Sequence, residues 1–321
     1  MNKAKLLAFL IIIIAHALLW QFGEGWIMSM GEKYSELLTG KPLNQRQLYD
    51  SEGIPVQSYR AYGLQYNPLF IAAQAKRDYD ESPRNTQRFK QLSSWLAERA
   101  EYTDSGLWLP YGFDLPDYEL RAPWHSGLAQ AVALSVFARR QVLEPEGKWA
   151  DLAKQTFNTL KPGSKLTLET EGGGLWYMEY PSRVDPYVLN GMMSILLELD
   201  TYHKLSGDKE ASDLFERGYI GLITKLDEFD YHGFSLYGIG TQKAGRKYHQ
   251  KHIAQLAELN AIKPHPKLEY YQRRWQSRDR YPVLVQIFFN PRPRRIAAFV
   301  ISLLLPVLLL MLGFWVWRRR T

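Results

Sequence analysis

The sequence predicts an all-α dominated fold, an α/α barrel (toroid) of about four helical hairpins with short β-strands in the inter-hairpin loops. N- and C-terminal transmembrane helices flank it. Three observations lead there. Paired helical patterns restart near residues 67, 124, 187 and 249, a period of roughly 60 that marks a repeat of supersecondary units. Connections are short within each pair and long, glycine-led and aromatic between pairs. Apolar runs close both ends of the 321 residues.

Leu6–Trp20 (LLAFLIIIIAHALLW) is short for a span but long enough with its flanks. Lys3, Lys5 and Ala15-His16-Ala17 also fit a signal peptide, but the apolar run continues through Leu18–Trp20 and favours an uncleaved anchor, residues 1–22. Residues 23–66 read as a linker or surface wrap. The body, 67–291, opens with Asn67–Tyr79 and Pro83–Glu101, the second striped by Leu92, Trp95 and Leu96. Trp124–Gln141 and Trp149–Leu160 follow, with Leu128, Val132, Val136 and Phe137 facing inward. Tyr187–Leu205 and Lys209–Phe229 meet at Ser206-Gly207, a helix stop. Asp185 and Pro186 predict the start of that first helix near Tyr187. His249–Asn260 and Pro266–Trp275 complete the set. Residues 292–321 hold Ile296–Trp317, a full-length transmembrane candidate with a tolerable Pro306 kink and an interfacial anchor at Trp315 and Trp317.

The formal charge of +7 sits at these ends. Residues 1–22 and 292–321 hold basic residues and no acid, leaving 32 basic against 33 acidic residues between them. A neutral body does not call for nucleic acid. Terminal cations place both ends in the cytoplasm and the body on the extracytoplasmic (periplasmic or lumenal) side of a membrane. Arg292, Arg294 and Arg295 pull the second span the other way. No cysteine is present, so disulfides and thiol metal sites are excluded. His249, His252, Asp227 and Asp230 form no recognised ligand set, and no metal or cofactor is expected.

Candidate chemistry gathers in the inter-hairpin loops. Gly106-Leu107-Trp108-Leu109-Pro110-Tyr111, Gly174-Leu175-Trp176-Tyr177-Met178-Glu179-Tyr180 and Gly233-Phe234-Ser235-Leu236-Tyr237 resemble one another. In a toroid all three lie at the end where the first helices begin, so positive dipole ends face an aromatic mouth. Such a mouth suits a sugar ring bearing a carboxylate, with Trp108, Tyr111, Trp124 and Trp176 as stacking surfaces. Glu179 beside Tyr180 offers proton chemistry. In Arg246-Lys247-Tyr248-His249-Gln250-Lys251-His252, Tyr248 and His252 share a helix face, with Gln255 on the same side. Cations there are expected to lower the Tyr248 pKa and, through Arg246 or His252, to hold a carboxylate.

Taken in order, Trp124-His-Ser126-Gly-Leu-Ala129-Gln130, Glu179-Tyr180-Pro181-Ser182, Val188-Leu189-Asn190-Gly191, Leu214-Phe215-Glu216-Arg217-Gly218, Ser235-Leu236-Tyr237 and Tyr248-His249-x-x-His252-Ile-x-Gln255-Leu256 resemble the C-terminal catalytic domain of the D-glucuronyl C5-epimerases. Tyr66-Asn67-Pro68 with Ile71-Ala72 resembles that family's first helix, and the resemblance runs colinearly over roughly residues 60–275. It implies an α/α barrel with a cleft for an acidic polysaccharide, and catalytic roles for Tyr180, Tyr248, Glu179 and Tyr237. Asn190 and Gln255 would contact substrate. The family's β-rich leading domains are here replaced by an apolar segment and a short linker, and a homodimer or biosynthetic-complex partner would take their place.

Inversion at C5 needs proton removal on one face of the sugar and delivery on the other, hence two opposed acid/base groups. Tyr180 and Tyr248 are assigned as that pair, with Glu179 and Tyr237 assisting. A polysaccharide lyase on the same fold and a non-catalytic membrane-bound glycan-binding or assembly protein are the alternatives.

Overall fold

A computed structural model describes residues 3–39, 46–59, 61–81, 85–239, 243–289, 291, 293, 295–304 and 318. The chain is dominated by helix, as expected. It divides into two units, one formed by residues 1–44 with 277–321 and the other by residues 45–276.

The first unit contains α1 (Lys3–Thr39) and short apolar helices of the C-terminal part. His16 Nε2 lies 3.0 Å from Ser302 Oγ, and the Trp20 ring meets Phe299 edge-on at 5.3 Å. Among the described residues no single helix is long and apolar enough to cross a membrane. A bent pair, Leu10–Gly23 with Gly25–Gly31, passes by length and composition together. The C-terminal candidate span is described only as far as Leu304, where Arg295–Leu304 is a short apolar helix; Pro306, Trp315 and Trp317 lie outside the described residues.

The second unit begins with structure where a linker was expected. Strands β1 (Arg46–Tyr49), β2 (Pro55–Tyr59) and β3 (Gly63–Gln65) form an antiparallel sheet of consecutive strands. Helices α2 (Pro68–Asp80) and α3 (Thr86–Glu98), α4 (Gly127–Leu143) and α5 (Trp149–Asn158), α6 (Leu189–Ser206) and α7 (Lys209–Lys225), and α8 (Arg246–Ile262) and α9 (Pro266–Asp279) realise the four expected pairs. Local chemistry sets their ends. Asn67, Asn85, Ser126 and Asp208 each cap a helix by accepting a backbone N–H bond, and Gly207 ends α6 in the left-handed region at φ 72°.

The two helices of a pair differ in what they bury. In α5 the buried residues are Trp149, Leu152, Ala153, Thr156 and Phe157, a single stripe at i, i+3, i+4, i+7 and i+8. In α4 every residue from Gly127 to Arg140 is buried, as in a helix packed on all sides. Accordingly α4 packs against α2, α5 and α6, and α6 packs against α7 and α8. First helices therefore adjoin one another in series, α2 to α4 to α6 to α8, and each of the first three packs against its own second helix.

Short antiparallel hairpins fill the long connections: β4 (Glu101–Thr103) with β5 (Gly106–Trp108), β6 (Pro110–Tyr111) with β7 (Trp124–His125), β8 (Thr167–Glu169) with β9 (Leu175–Tyr177), and β10 (Asp230–Tyr231) with β11 (Phe234–Ser235). Predicted boundaries move: Trp124 and His125, expected to open a helix, form β7, Glu101 lies in β4, and α8 opens at Arg246 instead of His249. Helix α6 starts at Leu189, not near Tyr187, because Val188 bridges Gly238 and the Leu189 N–H donates to Tyr237 O, keeping residue 188 extended.

Candidate functional site

Three loops and the starts of α2, α4, α6 and α8 converge on a cleft of about 580 Å³. Asn67, the cap of α2, contributes one wall. The pairing of Tyr111 with Trp124 across β6–β7 contributes the next. Glu179 and Tyr180 follow β9, Asn190 lies in the first turn of α6, and Lys247, Tyr248 and Lys251 open α8.

The wall is built from interlocked aromatic rings. Tyr111 stacks on Trp124 with centroids 4.0 Å apart, and Tyr118 stacks on Tyr180 at 4.1 Å. Trp124 stands 6.0 Å from Tyr180, joining the two stacks. Polar tips fix the rings: Tyr111 Oη donates to Asn67 Oδ1 at 3.1 Å, Asn67 Nδ2 donates to Tyr59 Oη at 2.6 Å, and Trp124 Nε1 donates to Phe113 O at 2.7 Å. Tyr237 packs edge-on against Tyr248 at 4.8 Å and hydrogen-bonds Tyr180.

Glu179 is the hub. It is 4% exposed, and its backbone carbonyl accepts the Gly127 N–H at 3.2 Å where α4 begins. Asn190 Nδ2 donates to Glu179 Oε2 at 3.4 Å, and the Tyr180 hydroxyl donates to the same carboxylate. Gly191 is what lets the carboxylate reach α6: a Cβ there would stand 2.6 Å from Glu179 Oε2 and 2.7 Å from Glu179 Cβ.

Burial, first, lifts the Glu179 carboxyl above its usual range; Tyr180, Lys251 and Asn190 pull it back. Tyr180, Tyr237 and Tyr248 are all raised, mainly by burial and then by the Glu179 charge. This reverses the expectation of a lowered Tyr248 pKa: although the residue is 39% exposed, partial desolvation of the phenol and then the Glu179 charge raise it.

Lys251 is the cation aimed at this charge. It lines the cleft within the electrostatic reach of Glu179 and, among the described residues, takes part in no hydrogen bond or ion pair. Desolvation holds its ammonium below the usual lysine range.

Of the residues expected at the site, Tyr180, Tyr248, Glu179, Tyr111, Trp124 and Asn190 line the cleft. Tyr237 supports Tyr248 from behind. The remaining five do not line it. Trp176 is fully buried, stacked on Phe229 at 5.6 Å, with Nε1 bound to Pro186 O, because β9 is buried on both faces. His252 is fully buried with Nδ1 2.8 Å from Ser235 Oγ, so it cannot hold a carboxylate in the cleft. Gln255 donates to Asn190 O and Ser194 Oγ, which ties α8 to α6 beneath the site. Arg246 is exposed at the start of α8, and Trp108 lies in a different hollow. Sequence reasoning missed Tyr59, Asn67, Phe113, Tyr118, Lys247 and Lys251 as wall residues. Lys251 was legible, three residues after Tyr248 on one helix side.

Among the described residues no group of three or more His, Cys, Asp or Glu could hold a metal ion. The model of the family described as D-glucuronyl C5-epimerase C-terminus matches residues 78–277. An uncharacterized protein of Methanocaldococcus jannaschii is 23% identical over 85% of this chain and 98% of its own length. The D-glucuronyl C5-epimerase of Caenorhabditis elegans is 24% identical over 60% of this chain, which spans 35% of that enzyme. Among solved structures, a GH76 α-mannanase of Bacteroides thetaiotaomicron aligns with a TM-score of 0.42 at 9% identity, over 80% of this chain and 71% of that one.

Proposed function

The chain belongs to the D-glucuronyl C5-epimerase C-terminus family, and from that premise we propose that it inverts glucuronate to iduronate within an acidic exopolysaccharide. The observation that supports this reading is that Glu179, Tyr180, Tyr248 and Lys251 line one aromatic cleft, with the Tyr180 hydroxyl on the Glu179 carboxylate. Lys251 takes the role first given to Arg246 or His252 and binds the uronate carboxylate. Neutralising that carboxylate acidifies the C5 hydrogen, since the developing enolate charge meets a fixed cation in a partly dry site. The C5 proton passes to Tyr180 Oη as the Tyr180 hydroxyl proton moves to Glu179. Tyr248 gives its proton to the opposite face, and solvent resets both groups. Tyr237 holds Tyr248 in place.

A toroidal closure of the serially packed first helices is part of this reading, because it sets the loops around one mouth. The apolar run Leu6–Trp20 and the C-terminal apolar segment support work on a polymer at a membrane, with the helical unit on the extracytoplasmic side. The test is product analysis of glucuronate-rich polymers incubated with the full chain. Iduronate signals in the NMR spectrum support epimerisation. Unsaturated uronate ends transfer the same carbanion chemistry to a lyase, and binding with neither product leaves a glycan-binding protein.

A further inference from the structure

We propose that the hollow on the other side of strand β7 is a second binding site, one that takes the carboxylate of an acidic sugar and grips the polymer outside the cleft. The substrate class rests on the reading above; the site itself does not. Alternation along β7 puts Trp124 in the wall of the cleft and His125 in the wall of this hollow, which measures about 650 Å³.

One wall holds an exposed lysine set between a histidine and an indole. Lys165 Nζ lies 2.8 Å from His125 Nδ1 and 4.3 Å from the centre of the Trp108 ring. Trp108 Nε1 donates to Thr103 Oγ1 and Ser105 Oγ at 3.1 Å each, which locks the ring. The neighbouring cation, Lys161, is paired with Glu210 at 2.8 Å. Lys165 has no carboxylate partner among the described residues; Glu101 acts on it only at longer range. The ammonium can only donate, so His125 Nδ1 accepts and Nε2 carries the proton. That side chain is 7% exposed, and Nε2 has no hydrogen-bond partner among the described residues. The histidine holds the ammonium over the indole and leaves its charge unneutralised, so it is Lys165 that an anion entering the hollow meets.

The rim decides what kind of anion. Glu101, Asp104, Asn158 and Ser164 surround the opening. The two carboxylates accept hydrogen bonds from hydroxyl groups, which a bare inorganic anion does not offer. A uronate satisfies both demands, carboxylate inward on Lys165 and hydroxyls outward on the rim. A polymer that reaches the cleft and this hollow together gains affinity by effective concentration, and a disaccharide does not.

The experiment is calorimetric titration of the full chain with a glucuronate polysaccharide and with the disaccharide prepared from it. The readout is the ratio of the two affinities. Lys165→Met keeps the aliphatic stem over Trp108 and removes the charge; it lowers the polymer-to-disaccharide ratio about tenfold, the scale of one charged hydrogen bond, and Lys165→Arg restores most of it. Asn158→Asp, which adds a rim charge without touching Lys165, lowers the ratio in the same direction and serves if Lys165→Met melts early. An unchanged ratio in folded Lys165→Met and Asn158→Asp overturns the second site. Lys251→Met, run in parallel, reports on the cleft: loss of disaccharide binding there with an unchanged Lys165 ratio rejects the hollow and keeps the cleft, and the converse rejects the cleft alone.

Discussion

Gly191→Ala puts one methyl group between the Glu179 carboxylate and the helix that positions it. The new Cβ would stand 2.7 Å from Glu179 Cβ and 2.6 Å from Oε2, against 3.4 Å where ordinary contact begins. The carboxylate end can swing, but Cβ is fixed to a backbone whose carbonyl already binds Gly127 N. Either the 178–180 segment or the first turn of α6 must then give by several tenths of an ångström. Overpacking of this size costs about 1–3 kcal/mol, and alanine returns up to about 1 kcal/mol of helix propensity. A melting-temperature fall of only a few degrees is therefore expected. Activity responds far more, because misplacing a catalytic group by about 1 Å costs roughly a hundredfold in rate. Steady-state kinetics of C5 inversion will show kcat down about a hundredfold with KM nearly unchanged. Gly112→Ala, where an added Cβ meets nothing within 4 Å, is the control and leaves both constants alone. Wild-type kcat in a folded Gly191→Ala protein would refute the placement of Glu179 as the hub.

Tyr180→Phe keeps the stack on Tyr118 and deletes the proton carrier; C5 inversion falls at least a thousandfold, of the order set by removing a general base, while circular dichroism and melting stay near wild type. Lys251→Met raises KM for a glucuronate substrate and lowers kcat together, read by initial rates, since the cation serves both binding and the developing charge. Two buried groups give opposite pH trends in stability. His125 titrates at about 4 when folded against 6.5, through burial and then Lys165, so its stabilisation is present above pH 6.5 and is lost as pH falls through 4. Asp185 is raised by burial to about 6 from 3.8, so its penalty is full above pH 6 and vanishes below 3.8. The two shifts act over the same acid range with opposite sign, so each masks part of the other in the wild type. Asp185→Asn uncovers the acid loss and His125→Asn reverses it, as melting temperatures compared between neutral pH and pH 4 will show.

The hairpin architecture was legible because it is written in spacing. Buried stripes such as Trp149, Leu152, Ala153 and Phe157 follow the helix period, and Asn67, Ser126 and Asp208 announce helix starts. The start of α6 was not, since Asp185-Pro186 is a strong local signal overruled by the long-range Val188–Gly238 bridge. The sheet of β1–β3 escaped because its strands are short and weakly alternating. Within the site, Glu179, Tyr180 and Tyr248 were found by residue type and motif. Aromatic content alone misplaced Trp176, which lies in a strand buried on both faces and packs on Phe229. The Tyr248 titration was misjudged for a related reason. Counting nearby cations along the sequence ignores the burial that only the folded wall imposes.

Hydrogen exchange at C5 tests the central claim most directly. The full chain is incubated in heavy water with a glucuronate-rich polysaccharide that it demonstrably binds, and the C5 proton is followed by NMR. Inversion through Tyr180 and Tyr248 predicts deuterium at C5 in both the starting and the inverted sugar, with chain length unchanged and with no exchange in Tyr180→Phe. A bound polymer that keeps all of its C5 protons would contradict it.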